Sequence, residues 1–138
     1  MDIKEVKKIV LAVDDMPMNL ATIRTILRND FDIRLAKSPG MAFTMLGTVK
    51  PDLILLDIEM PEMSGFEFLN QLRNNPEHPE YKNIPVIFVT SHETPDFIDR
   101  AVSIGAEGYV VKPITPTILL KKVNSAFLAA EKKNTTAR

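Results

Sequence analysis

The chain contains no cysteine. That excludes disulfides, thiolate metal sites, cysteine nucleophiles and cysteine redox chemistry, and it is compatible with a reducing cytoplasm. No apolar run approaches the roughly 20 residues that span a bilayer, and the opening MDIKEVKK holds no signal-peptide core. The expected setting is therefore cytoplasmic, with no membrane partner. Neither sign of charge is in excess. Seventeen Lys and Arg stand against 18 Asp and Glu, without the broad positive field that drives phosphate-backbone binding, so direct nucleic-acid binding is not expected. The two histidines, His78 and His92, lack the spacing of zinc ligands. What remains is 138 residues, 45% hydrophobic and 25% charged, which is enough chain for one domain with a real core.

The chain alternates short β-prone runs with stretches of helical periodicity. Ile9 to Val13 reads as a strand, and Met18 to Asn29 as a helix with Leu20, Ile23 and Leu27 on one face. Ile33 to Ala36 is a second strand, followed by a helix from Pro39 to Val49 with Ser38 as its cap and proline in its first turn. Leu53 to Leu56 is a continuous apolar run, as expected for a strand covered on both faces. Ser64 caps the next helix, which carries Phe66, Leu69 and Leu72. The polar stretch Asn74 to Asn83 reads as a surface loop. Val86 to Val89 is a strand, Pro95 to Ile104 a helix closed by Gly105, and Tyr109 to Val111 a last strand. The closing helix runs from Thr115 to about Ala130, with residues 131–138 as a tail or the start of a linker and 1–130 as the folded unit. Five strands alternating with five helices imply a doubly wound α/β fold with a parallel sheet.

In such sheets ligands bind beyond the carboxyl ends of the strands. Polar residues stop the strands there: Asp14 and Asp15 after the first, Asp57 after the third, Thr90 after the fourth and Lys112 after the fifth. If those ends share one edge, three carboxylates, a hydroxyl and an ammonium meet in one cleft. Three carboxylates together repel one another and raise their own pKa values unless a cation compensates. Magnesium suits such oxygen ligands and keeps open positions that a phosphoryl oxygen can occupy. Thr90 and Lys112 are then placed to contact the other phosphoryl oxygens, and Asp57 stands where a nucleophile belongs. Taken singly, each residue has a plainer reading. Asp14-Asp15 fits turn chemistry or a helix cap, Asp57 fits a strand-ending cap, and Thr90 and Tyr109 fit structural roles. Pro61 and Gly65 read as shapers of the loop after Asp57, with glycine supplying positive φ. Met41, Met45 and Met60 read as packing residues.

Together VDDMPMN, LILLDIEMPEMSGFEFL, PVIFVTS and GAEGYVVKP resemble the receiver domain of two-component response regulators (CheY-like), over Val10 to about Phe127. The resemblance implies the flavodoxin-like strand order 2-1-3-4-5. It also implies that Asp57 accepts a phosphoryl group from a histidine kinase or histidine phosphotransfer protein. By the same carry-over Asp15 binds Mg2+ directly, Asp14 acts largely through water and Glu59 contributes its backbone carbonyl. Thr90 and Lys112 hold the phosphoryl oxygens, the bond before Pro113 is cis, and Tyr109 is the aromatic switch paired with Thr90. The implied partner face comprises Pro95 to Ile104, Tyr109 and Thr115 to Phe127, open to an output domain or to a second copy in a homodimer. The only reactions such a domain catalyses are its own phosphorylation and dephosphorylation. The sequence departs from the common receiver pattern at His92, where a small residue is usual, and at Ile114, where many DNA-binding regulators have phenylalanine. Three alternatives carry less support. A phosphohydrolase of the haloacid dehalogenase type wants a second aspartate where Glu59 stands, and a flavodoxin-like cofactor binder wants a hydroxyl-rich loop where Asp14-Asp15-Met16-Pro17 stands. A receiver-like interaction domain without phosphorylation should lack an acid residue or Lys112, and none is missing.

Overall fold

In the computed structural model, residues 6–91 and 94–136 are described; His92 lies outside them. Five parallel strands form one sheet in the order β2-β1-β3-β4-β5, where β1 is Ile9–Val13, β2 Asp32–Ala36, β3 Leu53–Leu56, β4 Val86–Thr90 and β5 Gly108–Val111. The connecting helices are α1 (Pro17–Leu27), α2 (Pro39–Leu46), α3 (Gly65–Arg73), α4 (Pro95–Ser103) and α5 (Pro116–Thr136). Period-two alternation along the strands divides the core in two. Leu11, Val13, Ile54, Leu56 and Phe88 face α2, α3 and α4, whereas Val10, Ala12, Leu53, Leu55 and Val89 face α1 and α5. Both faces of the central strands are covered, which is why β3 and β4 have no polar position before their last residues.

Local chemistry sets most boundaries. The Ser38 hydroxyl accepts the Met41 N–H at 3.1 Å and the Ser64 hydroxyl the Glu67 N–H at 3.2 Å, with Pro39 in the first turn of α2. Gly105 closes α4 with φ of 91°, its N–H on the Val102 carbonyl at 3.1 Å. Three differences from the sequence expectation go beyond two residues. α2 ends at Leu46 rather than Val49, because the Gly47 and Thr48 N–H groups turn back onto the carbonyls of Thr44 and Met45 in tighter i→i+3 bonds. α5 continues past Ala130 to Thr136, since Glu131 and Lys132 are good helix formers and no glycine or proline interrupts them. The loop expected over Asn74 to Asn83 holds a 3₁₀ turn, Pro79–Asn83. Tyr81 in that turn is buried, its hydroxyl donating to the Leu46 carbonyl at 3.2 Å.

Candidate functional site

The sheet register brings the polar strand ends together. Val13 lies opposite Leu56, and Thr90 opposite Val111, so the residues that follow β1, β3 and β5 cluster with Thr90 at one edge. Hydrogen bonding continues one residue past each strand. The Asp14 N–H donates to the Ala36 carbonyl at 3.1 Å, Asp57 to Val13 at 3.0 Å and Lys112 to Thr90 at 2.7 Å. The backbones of Asp14, Asp57 and Lys112 are thus held by the sheet itself rather than by a loop. Lys112-Pro113 is a cis bond, as expected.

The side chains of Asp14, Asp15 and Asp57 each offer an oxygen within 4.8 Å of the others. Asp14 and Asp57 are buried, at 1% and 5% exposure, and Thr90 is buried at 2%; Asp15 is the more open of the three carboxylates. The Lys112 ammonium lies between two of them, 3.2 Å from Asp14 Oδ2 and 3.4 Å from Asp57 Oδ1. Among the described residues, one cation is paired within a cluster of three carboxylates. Burial pushes the Asp57 carboxyl up from 3.8 to about 6, and the neighbouring Asp14 charge adds to the rise; Lys112 and the Glu59 backbone N–H act against it. A group of hard oxygen ligands left short of positive charge fits a divalent cation such as magnesium.

Some of the site was not anticipated. Asp14 is fixed by two further donors, the Met16 N–H to Oδ1 at 2.9 Å and the Asn19 amide to Oδ2 at 3.1 Å. Asn19 lies in the same heptapeptide as the aspartates, and its i+5 spacing, one helical turn into α1, was the available signal. Gly65 has a different role from the one expected. The positive φ in the loop after Asp57 belongs to Glu62, at 73°. Gly65 is needed for space: a β-carbon there would meet the Asp57 carbonyl oxygen and come 2.9 Å from the Ile58 Cα. Its N–H donates to the Ile58 carbonyl at 2.8 Å, so the start of α3 is laid directly against the backbone that carries Asp57. Tyr109 is half-buried on β5 opposite Phe88, with the Lys122 ammonium 5.7 Å from its ring centroid.

The sheet order together with this acidic edge defines a class of protein, and comparison with known proteins identifies it. The family model of the response regulator receiver domain matches residues 10–124, and the chain belongs to that family of two-component signalling domains. It is 40% identical over 116 residues to a probable cyclic di-GMP phosphodiesterase of Vibrio cholerae, a match covering 84% of this chain and 26% of that protein. It is 38% identical over 111 residues to the two-component response regulator ORR11 of Oryza sativa, covering 78% and 73%. The chain thus spans about a quarter of the first relative and most of the second. Among solved structures, chemotaxis protein CheY4 of Vibrio cholerae superposes with a TM-score of 0.81 at 29% identity, over 88% of this chain and 99% of that one. A CheY-like receiver domain from Methanospirillum hungatei gives 0.80 at 26% identity, over 92% and 98%. No helix among the described residues is long and apolar enough to cross a membrane.

Proposed function

We propose that Asp57 is the phosphoacceptor of a magnesium-dependent signalling switch within a folded unit spanning residues 1–130. The observation that carries this reading is the clustering of Asp57 with Asp14, Asp15 and the Lys112 ammonium at the carboxyl edge of the central strand. In the proposed reaction an Asp57 carboxylate oxygen attacks the phosphorus of a phosphohistidine on a kinase or phosphotransfer protein. The phosphorus–nitrogen bond breaks and an acyl phosphate forms. Asp57 must be ionised to attack, and with its carboxyl near 6 it is mostly so at neutral pH.

Asp15 would hold a magnesium ion directly and Asp14 through water, with Asp57 and the Glu59 backbone carbonyl as the other protein ligands. When bound, the metal supplies positive charge that offsets the phosphoryl oxygens. Lys112 leaves its ion pairs with Asp14 and Asp57 to bind one phosphoryl oxygen, and the Thr90 hydroxyl donates to another. Movement of Thr90 opens space for the Tyr109 ring on the adjacent strand, and the change is read on the face made by α4, β5 and α5. Phe97, Ile98, Ile118 and Lys122 lie on that face, which binds an output domain or a second copy. The domain acts in the cytoplasm, without direct contact with nucleic acid, and its only chemistry is gain and loss of its own phosphoryl group.

The test is incubation with acetyl phosphate and magnesium, followed by intact-mass and peptide mass spectrometry. The expected result is one phosphoryl group on Asp57, absent in Asp57→Asn and absent when the metal is chelated. Phosphorylation of Asp57→Asn at the wild-type rate overturns the assignment.

A further inference from the structure

The sheet has two outer strands, β2 and β5, and β2 plays no part in the proposed switch. Its ladder to β1 runs from Ile9 opposite Asp32 to Val13 opposite Ala36. The Asp32 N–H donates to the Lys8 carbonyl at 2.9 Å, and the Ala36 carbonyl accepts from Asp14 at 3.1 Å. In a parallel pair, successive residues turn their peptide groups to opposite sides. Asp32, Arg34 and Ala36 therefore face β1, and Ile33 and Leu35 present their N–H and C=O groups to the outer side. An edge of this kind is a template for another strand.

Beside that edge runs a groove of about 460 Å³ between α1 and the start of α2. Its apolar floor includes Leu20, Ala21, Leu35 and Met41, the last of which is 45% exposed rather than packed away. Arg24, Arg28 and Lys37 rim it, and no carboxylate lines it. All three cations are exposed, and among the described residues none of them pairs with a carboxylate. In a chain whose net charge is only −1, three uncompensated cations around one apolar groove form a local positive field.

We propose that the outer edge of β2 and this groove bind an extended acidic segment of a partner protein. The segment adds as a further strand on Ile33 and Leu35. Its apolar side chains rest on Leu35 and Met41, and its carboxylates face Arg24, Arg28 and Lys37. A second copy of the chain fits less well, because pairing two β2 edges brings the same cations together across the contact. The proposal is independent of chemistry at Asp57, since the Ile33 and Leu35 peptide groups and the cation rim exist without phosphorylation.

The probe is a synthetic peptide of about ten residues alternating glutamate and valine, a length that spans a typical strand with margin at both ends. It is titrated into the isotope-labelled chain, full length, and amide chemical shifts are read. Saturable shifts are expected at Ile33, Leu35 and Lys37. The same peptide N-methylated at alternate residues, and a lysine-valine counterpart, should not produce them. The exposed double substitution Arg24→Glu with Lys37→Glu should weaken binding at least about tenfold while leaving the amide shifts of β3 and β4 unchanged, which shows that the fold is retained. Any one of three outcomes overturns the proposal: no saturable shift on β2, equal binding of the N-methylated peptide, or equal binding of the lysine peptide. Concentration-dependent self-association that the glutamate peptide disrupts would assign the edge to a second copy and overturn it as well.

Discussion

At the amino end of the sheet the part-buried Arg73 has partners on both terminal nitrogens of its guanidinium, whereas at the carboxyl end three carboxylates cluster and one lysine pairs with two of them. Arg73 donates to the carbonyls of Ile84 at 2.8 Å and Gly105 at 3.2 Å, and pairs with Glu107 at 3.3 Å. Glu107 in turn accepts the Val86 N–H at 2.5 Å. Burial draws the Arg73 pKa below its ordinary value and Glu107 opposes that, yet the group stays charged and matched. This cluster ties α3, the 3₁₀ turn and the entry to β5 onto the start of β4. The carboxyl end is built from more deeply buried groups and left in deficit, with the Asp57 carboxyl raised to about 6. The Arg73 cluster is neutralised within the chain; the acidic cluster has fewer cations than carboxylates and leaves room for a cation from outside the chain to neutralise it.

The comparison is broken most severely at the matched end. Arg73→Ala removes the guanidinium and leaves the Glu107 carboxylate without that partner, along with two carbonyls that lose their donor. The pair is partly exposed, so the cost comes chiefly from the acceptors left without their donor, about 3 kcal/mol in all for three of them. Urea denaturation should show a loss of that order, with little change in magnesium affinity. A loss below about 1 kcal/mol would mean the cluster is ornamental.

At the unmatched end, removing charge should have the opposite sign. The folded protein holds the Asp57 proton more tightly than the unfolded chain does, at about 6 against 3.8. Stability is therefore greatest with Asp57 protonated and is lost as pH rises through the window between those two values. The full difference corresponds to about 3 kcal/mol. In chelator, Asp57→Asn should match the wild type near pH 4 and exceed it by up to about 3 kcal/mol near pH 8. Magnesium, by holding the carboxylate ionised, should close most of that gap. Denaturation midpoints of the two proteins across pH, with and without the metal, decide it.

The carboxyl end was the part legible in the sequence, because a parallel sheet forces strand ends onto one edge and the apolar runs of β1, β3, β4 and β5 stop on polar residues. Asp14, Asp15, Asp57, Thr90 and Lys112 needed only the alternation of elements to be placed together, and the family match then added the strand order. The amino end was not legible. Arg73 looks like an ordinary last-turn helix cation, and Glu107, Gly105 and Ile84 lie far from it in sequence, so no periodicity links them. Tyr81 was hidden for a similar reason, as an apolar anchor within the polar run Asn74 to Asn83. Gly65 was noticed for the wrong property: sequence shows that a side chain is missing, and only the packing of α3 on Asp57 and Ile58 shows that space, rather than φ, is what it provides. The end of α5 was not legible because no glycine or proline follows Ala130 to mark a stop.

Lys112 is where the two ends are most nearly alike, since its ammonium holds Asp14 and Asp57 as Arg73 holds Glu107. Its removal should nevertheless sharpen the contrast. Lys112→Ala removes the one cation paired with these carboxylates among the described residues, so magnesium should bind about tenfold more tightly, the scale set by a unit charge a few ångströms away in a partly solvated site. Asp15→Ala should weaken the metal strongly. Calorimetric titration of both variants gives the order directly, and weaker binding in Lys112→Ala would show that the lysine organises the site rather than competing within it.

The smallest expected effect lies at the start of α3, where a structural device abuts the reactive end. The Ser64 hydroxyl satisfies the Glu67 N–H, and one residue later Gly65 rests on the Asp57 carbonyl. If the carboxyl end draws its geometry from the sheet ladder, loss of the cap should weaken the helix without disturbing the site, because Asp57 is fixed through its N–H to Val13 and not through α3. Ser64→Ala should then cost about 1 kcal/mol of stability, the usual worth of an N-cap hydroxyl. Its magnesium affinity and its rate of labelling by acetyl phosphate should stay within a factor of two of the wild type. If instead the labelling rate falls severalfold at the same cost in stability, α3 belongs to the positioning of Asp57. The division between matched structural charge and unmatched reactive charge would then have to be redrawn to include the helix that begins at Gly65.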